Sequence, residues 1–248
     1  MSEVVVEACV DSLASAVAAA GAGAHRVELC ANLREGGTTP SVGALEACRA
    51  RVTAPVFAMV RPRAGDFCYD EGELDVVARD IRVLRDHGAQ GIVVGVLTPE
   101  GEIDQDAVMR LLDAARPLPV TFHRAFDLAR DAVSACETLL RCGVDRVLTS
   151  GTAATALEGA GVIERLVRLA GDRLVVMAGG GVRAGNAAEI VRRTGVRELH
   201  AGPSRRVDGP MRFRTSAARV EKAGTDPFSR EVVDEEGVRA VVCAVRGL

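Results

Sequence analysis

Eight short β-rich runs, each followed by a longer amphipathic stretch, succeed one another along this chain, and no other feature restricts its fold so tightly. The pattern predicts strands over residues 4–8, 26–30, 56–60, 91–94, 120–123, 146–149, 174–177 and 198–200. Helices are predicted over residues 12–20, 42–50, 73–87, 105–115, 132–142, 156–170, 186–194 and, beyond a long loop, 235–245. Strands joined through helices run parallel, and eight such units are the number that closes a parallel barrel. An internal echo favours closure over an open sheet. The second, fourth, sixth and eighth strands are entered through Gly23-Ala24, Gly88-Ala89, Gly143-Val144 and Gly195-Val196. Glycine there can end the preceding helix in the left-handed conformation, and the repetition suggests two-strand units around a ring. The expectation is an α/β chain folded as a TIM-like (β/α)8 barrel, with residues 1–248 forming one domain.

Composition narrows the possible partners. A formal charge of -3 offers no bulk attraction to nucleic acid or to acidic membranes. Even the most apolar stretch, A-S-A-V-A-A-A-G-A-G, is small-residue helix and turn rather than a membrane span. Seven cysteines, an odd number, and an acidic start without a basic segment favour reduced thiols in a cytoplasmic location. The segment 203–230 is the irregular part, with three prolines and the basic residues Arg205, Arg206, Arg212 and Arg214. Following the last strand, it is expected to cover the carboxyl face of the barrel or to mediate subunit contact, with a solvated loop as the plain alternative.

In such a barrel the strand ends gather around one mouth. The first two strands end alike, in Glu7-Ala8-Cys9 and Glu28-Leu29-Cys30. Period-two geometry puts Glu and Cys on one side of each strand, so two carboxylates and two thiols are expected in one corner. The cysteines are metal-ligating candidates or apolar filling. The third strand runs into Arg61-Pro62-Arg63-Ala64-Gly65-Asp66-Phe67, where Arg61 is expected to meet a carboxylate or an anionic ligand. Asp66 can orient Arg63, and Phe67-Cys68-Tyr69 is a candidate lid. The fifth strand, Pro119 to Asp127, delivers His123 as the leading acid-base candidate, with a neutral buried imidazole as the plain alternative. Asp127 is expected to orient His123 or to cap the next helix. The loops holding Gly180, Gly181, Gly202 and Ser204 lie where barrels commonly bind phosphate through backbone N–H groups, with simple tight turns as the other reading. His200 is a second histidine at the mouth.

These residues carry a resemblance. V-E-L-C at 27–30, E-G-G-T-T-P-S at 35–41, R-P-R-A-G-D-F-C-Y at 61–69 and T-F-H-R-A-F-D at 121–127 resemble the CutC family, whose members are called copper homeostasis proteins. L-T-S-G at 148–151, M-A-G-G-G-V at 177–182 and P-M-R-F-R at 210–214 extend the likeness in order along nearly the whole chain. The resemblance implies a barrel, a cytoplasmic location, a homodimer or homotetramer, and a role in copper handling. Two functions are therefore expected. One is Cu(I) binding at Cys9 and Cys30, since thiolates suit that ion. The other is an enzyme (lyase, isomerase or hydrolase) acting on an anionic or phosphorylated small molecule. There, His123, Glu7, Glu28 and Asp127 would exchange protons, and Arg61, Arg63 and the glycine loops would hold the anion.

Overall fold

The computed structural model describes residues 3–215 and 226–248. Eight parallel strands form a closed barrel: β1 (Val5–Val10), β2 (Arg26–Leu29), β3 (Val56–Met59), β4 (Gly91–Val94), β5 (Val120–Phe122), β6 (Arg146–Thr149), β7 (Val175–Gly179) and β8 (Glu198–Ala201). Closure lies in the pairing of β8 with β1, where His200 stands opposite Glu7. The outer ring comprises α1 (Leu13–Gly21), α2 (Val42–Arg51), α3 (Glu71–Asp86), α4 (Gln105–Ala115), α5 (Ala132–Cys142), α6 (Ala160–Ala170), α7 (Ala184–Thr194) and α8 (Glu235–Val245). No helix among the described residues is long and apolar enough to cross a membrane.

The helix boundaries have local causes. Ser12, Ser41, Asp70, Asp104 and Asp131 each accept a hydrogen bond from a backbone N–H of the first turn, which the helix itself cannot satisfy. Gly23, Gly88, Gly143 and Gly195 all take positive φ, as the repeated entry motif predicts. Helix α3 begins two residues before its predicted start because Asp70 and Glu73 form a reciprocal capping box. Helix α6 begins four residues late because the loop before it folds so that Gly151 and Gly159 press backbone against backbone. The segment expected to be irregular contains an antiparallel ribbon, β9 (Ser204–Asp208) with β10 (Ser229–Val233). Its strands are largely exposed and polar, so no hydrophobic alternation announces them. Residues 216–225 of that segment lie outside the described residues.

The two faces of the barrel strands differ in chemistry. One parity, including Val6, Val27, Ile92, Phe122, Val147 and Leu199, points outward into an apolar core shared with the helices. The other parity faces the barrel interior, where Phe57, Met59, Val93 and Cys30 make only a small apolar cluster. Much of the remaining interior is ionic. The buried Arg26 donates to Glu7 and, at 2.5 Å, to Glu198, while Arg146 donates to the same Glu198 at 2.6 Å. The Phe57 ring lies beneath both guanidiniums, at 4.9 Å from that of Arg26 and 5.6 Å from that of Arg146. Gly91 makes room for this ring, since a Cβ there would lie 2.5 Å from it.

A buried carboxylate that loses its cation is left desolvated and uncompensated. Arg26→Met, which keeps much of the apolar stem, is expected to lower the unfolding free energy by about 3–5 kcal/mol, read from urea denaturation.

Candidate functional site at the barrel mouth

The interior parity of β8, β1 and β2 carries the densest chemistry of the mouth. Cys9 stands opposite Glu28 in the β1–β2 register, and Cys9 Sγ lies 3.8 Å from Cys30 Sγ. His200 donates from Nδ1 to Glu7 Oε1 at 2.8 Å, and its Nε2 lies 3.5 Å from Glu28 Oε2. Two sets of ligand-type atoms, Cys9–Glu28–Cys30 and Glu7–Glu28–His200, each fall within 4.8 Å. The expected corner of two carboxylates and two thiols is therefore present, with His200 added. Cys9 and His200 open onto a pocket of about 800 Å³, whose walls include Asn32, Gly202, Ser204 and Arg230.

Charge is distributed unevenly within this corner. Burial opposes ionisation of Glu7, but Arg26 and His200 overcome it and hold the carboxyl down at about 2. The hydrogen bond from Cys30 lowers Cys9 to about 5, with burial opposing and His200 assisting. The same hydrogen bond, together with burial, pushes the Cys30 thiol well up. Burial, and then the Cys9 charge, raise Glu28 well above the usual carboxylate range. Burial works against the His200 cation, yet Cys9, Glu28 and Glu7 around it raise its pKa well above the ordinary value. The corner thus favours a thiolate, a carboxylate and an imidazolium beside a protonated thiol and a protonated carboxyl.

His123 sits elsewhere, and the expectation that it converges with Glu7 and Glu28 is corrected. It is buried beneath Phe67, ring to ring at 4.9 Å, and lies against Gly95, where a Cβ would collide with the imidazole. Its Nδ1 accepts from the Ala125 N–H at 3.1 Å. Burial, reinforced by the Arg61 charge, depresses it to about 3, so it is neutral at physiological pH. Of the two partners expected for Arg61, a carboxylate or an anionic ligand, its hydrogen bonds include no carboxylate. Its guanidinium donates to the carbonyls of Glu35, Gly37 and Gly65, tying two loops together beside Cys30. Arg63 lies on the outer side of its loop, bound to Glu73 and to Asp66.

Asp127 neither orients His123 nor caps α5, whose cap is Asp131. Its carboxylate accepts from Thr149 Oγ1 at 2.5 Å, Ser150 N and Oγ at 3.0 Å, Thr152 N at 3.2 Å and Arg124 Nε at 2.8 Å. Thr152 holds φ 57 to complete this nest, a conformation rare for a β-branched residue. Asp127 therefore fills an anion-binding loop from within. Gly180 and Gly181 adopt positive φ beside it, with Gly180 close to Ser150 and Arg124. Ser204 opens β9 opposite Val233, and Gly202 packs towards Cys9.

Sequence reasoning named His200 without placing it in the cluster, and missed Arg26, Arg146 and Glu198. A signal was available. Three neighbouring strands read E-A-C, R-V-E-L-C and E-L-H, with polar or thiol groups at every second position.

The two histidines shift in opposite directions. Because the folded His123 value of about 3 lies below the unfolded value of about 6.5, the unfolded chain takes up the proton first. Its stabilising contribution is present above about pH 6.5 and lost as pH falls towards 3. Between pH 6.5 and 5, wild type is expected to lose stability more steeply than His123→Gln, by up to about 1.4 kcal/mol per pH unit in urea denaturation.

A model of the CutC family matches residues 4–204. The human "Copper homeostasis protein cutC homolog" is 46% identical over 237 residues, covering 95% of this chain and 87% of its own length. A CutC family protein of Chromobacterium violaceum is 45% identical over 237 residues, covering 96% of each chain. The solved structure of CutC from Streptococcus agalactiae matches with a TM-score of 0.75 at 35% identity, over 79% of this chain and 97% of that one. With the barrel, the strand-end residues and the whole-length likeness in agreement, the chain belongs to the CutC family.

Proposed function

We propose that this protein binds Cu(I) at the Cys9–Cys30 corner of the mouth and serves copper homeostasis. The observation that carries the reading is the 3.8 Å separation of the two sulfurs, a span one ion can bridge at metal–sulfur distances of about 2.3 Å. The donor set fits. Two thiols with an imidazole nearby are soft and intermediate ligands of the kind that select Cu(I), and Glu28 Oε1 is buried without a hydrogen-bond partner. Cys9 and Cys30 would hold the ion, with Glu28 the third ligand-type group beside both thiols, while His200 stands next to Cys9 with Glu7 fixing its ring. Bound there, the ion supplies a soft Lewis-acid centre. The name of the human relative, a copper homeostasis protein, agrees with this role. Seven free cysteines support a reducing, cytoplasmic setting.

A second reading draws on the same geometry. Glu7, His200 and Cys9 stand in the order of orienting group, base and nucleophile, and Cys9 faces the 800 Å³ pocket. This supports a barrel enzyme that uses a thiol.

Anaerobic Cu(I) titration against a competing chelator separates the two. One ion per chain is expected, with affinity lowered more than about 100-fold in Cys9→Ser/Cys30→Ser, beyond the usual effect of an outer-shell change. Equal binding by wild type and the double variant removes the copper site. The enzyme reading instead expects iodoacetamide to label Cys9 ahead of the other six cysteines at pH 6.5, and His200→Gln to slow that labelling. Uniform labelling ends it.

A further inference from the structure

Around the ends of β3 and β5, three buried polar atoms have no hydrogen-bond partner: Arg61 Nε, Tyr69 OH and His123 Nε2. All three are donors. The other arms of the Arg61 guanidinium are already committed, Nη1 to Glu35 O and Gly37 O, Nη2 to Gly65 O, so only Nε–H is left over. At His123 the Ala125 N–H occupies Nδ1, which places the proton of the neutral ring on Nε2. His123 stays neutral because burial and the Arg61 charge oppose a second proton. Burial likewise pushes the Tyr69 phenol up to about 12, against the pull of Arg61 and Arg63, and keeps its hydroxyl protonated.

Two of the three flank one residue, and Tyr69 lies within reach of the Arg61 charge. The Phe67 ring sits 4.8 Å from the Arg61 guanidinium carbon and 4.9 Å from the His123 ring. Phe67 is half-buried, and its backbone carbonyl is tied to the Leu97 N–H at 2.8 Å. Its side chain is therefore the movable part of an anchored loop. Native proteins satisfy nearly all buried donors, so three in one place call for an acceptor. One positive charge and three N–H or O–H groups complement a negatively charged oxygen.

We propose that Arg61, Tyr69 and His123 form an oxyanion subsite beneath Phe67, which receives a carboxylate or phosphate oxygen of a small-molecule ligand when the Phe67 ring swings aside. The subsite uses none of the sulfur ligands, although Arg61 reaches the Gly37 backbone beside Cys30, and it does not rest on copper binding. It gives His123 the role of a neutral hydrogen-bond donor rather than a proton-transfer base.

The test is a titration of ¹⁵N-labelled protein with inorganic phosphate and, separately, with acetate. The signals followed are the His123 ring nitrogens and the amides of Arg61 and residues 63–69. A saturable shift is expected with at least one probe, weakened about 10- to 100-fold in Tyr69→Phe, the usual effect of losing a hydrogen bond to a charged group. A response to phosphate alone assigns a phosphate-type ligand, and a response to acetate alone a carboxylate. Without either probe, Tyr69→Phe is expected to keep or raise the unfolding temperature, since the hydroxyl it removes has no partner. The proposal is overturned by no saturable shift up to roughly 100 mM of either probe. Undiminished binding in Tyr69→Phe, or a lowered unfolding temperature of that variant, also overturns it.

Discussion

The ionic corner built by β8, β1 and β2 stands on the Arg26 guanidinium. Arg26 reaches Glu7 on one side and Glu198 on the other, and Arg146 meets Glu198 from β6, two strands along the barrel. Glu7 then accepts from His200, and His200 lies beside Glu28 and Cys9. The order Arg146, Glu198, Arg26, Glu7, His200 is a ladder of alternating charge that climbs from the barrel interior to its opening. Each rung compensates the one below, which is how this barrel tolerates charges that could not be buried singly.

The mouth divides electrically into two halves that contain the same residue type in opposite states. His200, among carboxylates and a thiolate, is held as a cation. His123, among Phe67, Phe122 and Arg61, is held neutral. The first half can attract cations and soft metals through its thiols and acids, whereas the second offers only donors. A ligand carrying both a soft or basic end and an anionic end would find complementary chemistry across one opening.

The fold was legible because it depends on periodicity that survives in a single sequence. Alternation placed the eight strands to within a few residues, and the glycines before every second strand took the conformation their position required. Pairings among strand-end side chains were less legible. His123 and His200 both precede loops after β-rich runs, and nothing local distinguishes a ring under Phe67 from one facing Glu7. That difference arises from barrel closure, which sets β8 against β1 and leaves β5 on the far side. Asp127 misled for a related reason. It follows His123 in sequence, but its acceptors are satisfied by the backbone and hydroxyls of the β6 loop. Tyr69 looked like part of a lid, and only burial shows that its hydroxyl points where no acceptor lies.

The β9–β10 ribbon lies between the last barrel strand and the helix that completes the ring, and residues from both of its strands line the pocket beside Cys9 and His200. The family model's match ends at residue 204, where this ribbon begins, while the relatives' likeness runs on over about 95% of the chain. The reactive floor of the pocket and part of its rim thus come from separate stretches of chain. Changes in ribbon length or sequence can retune what enters without disturbing the barrel's internal ion pairs, so selectivity and stability can evolve on separate schedules.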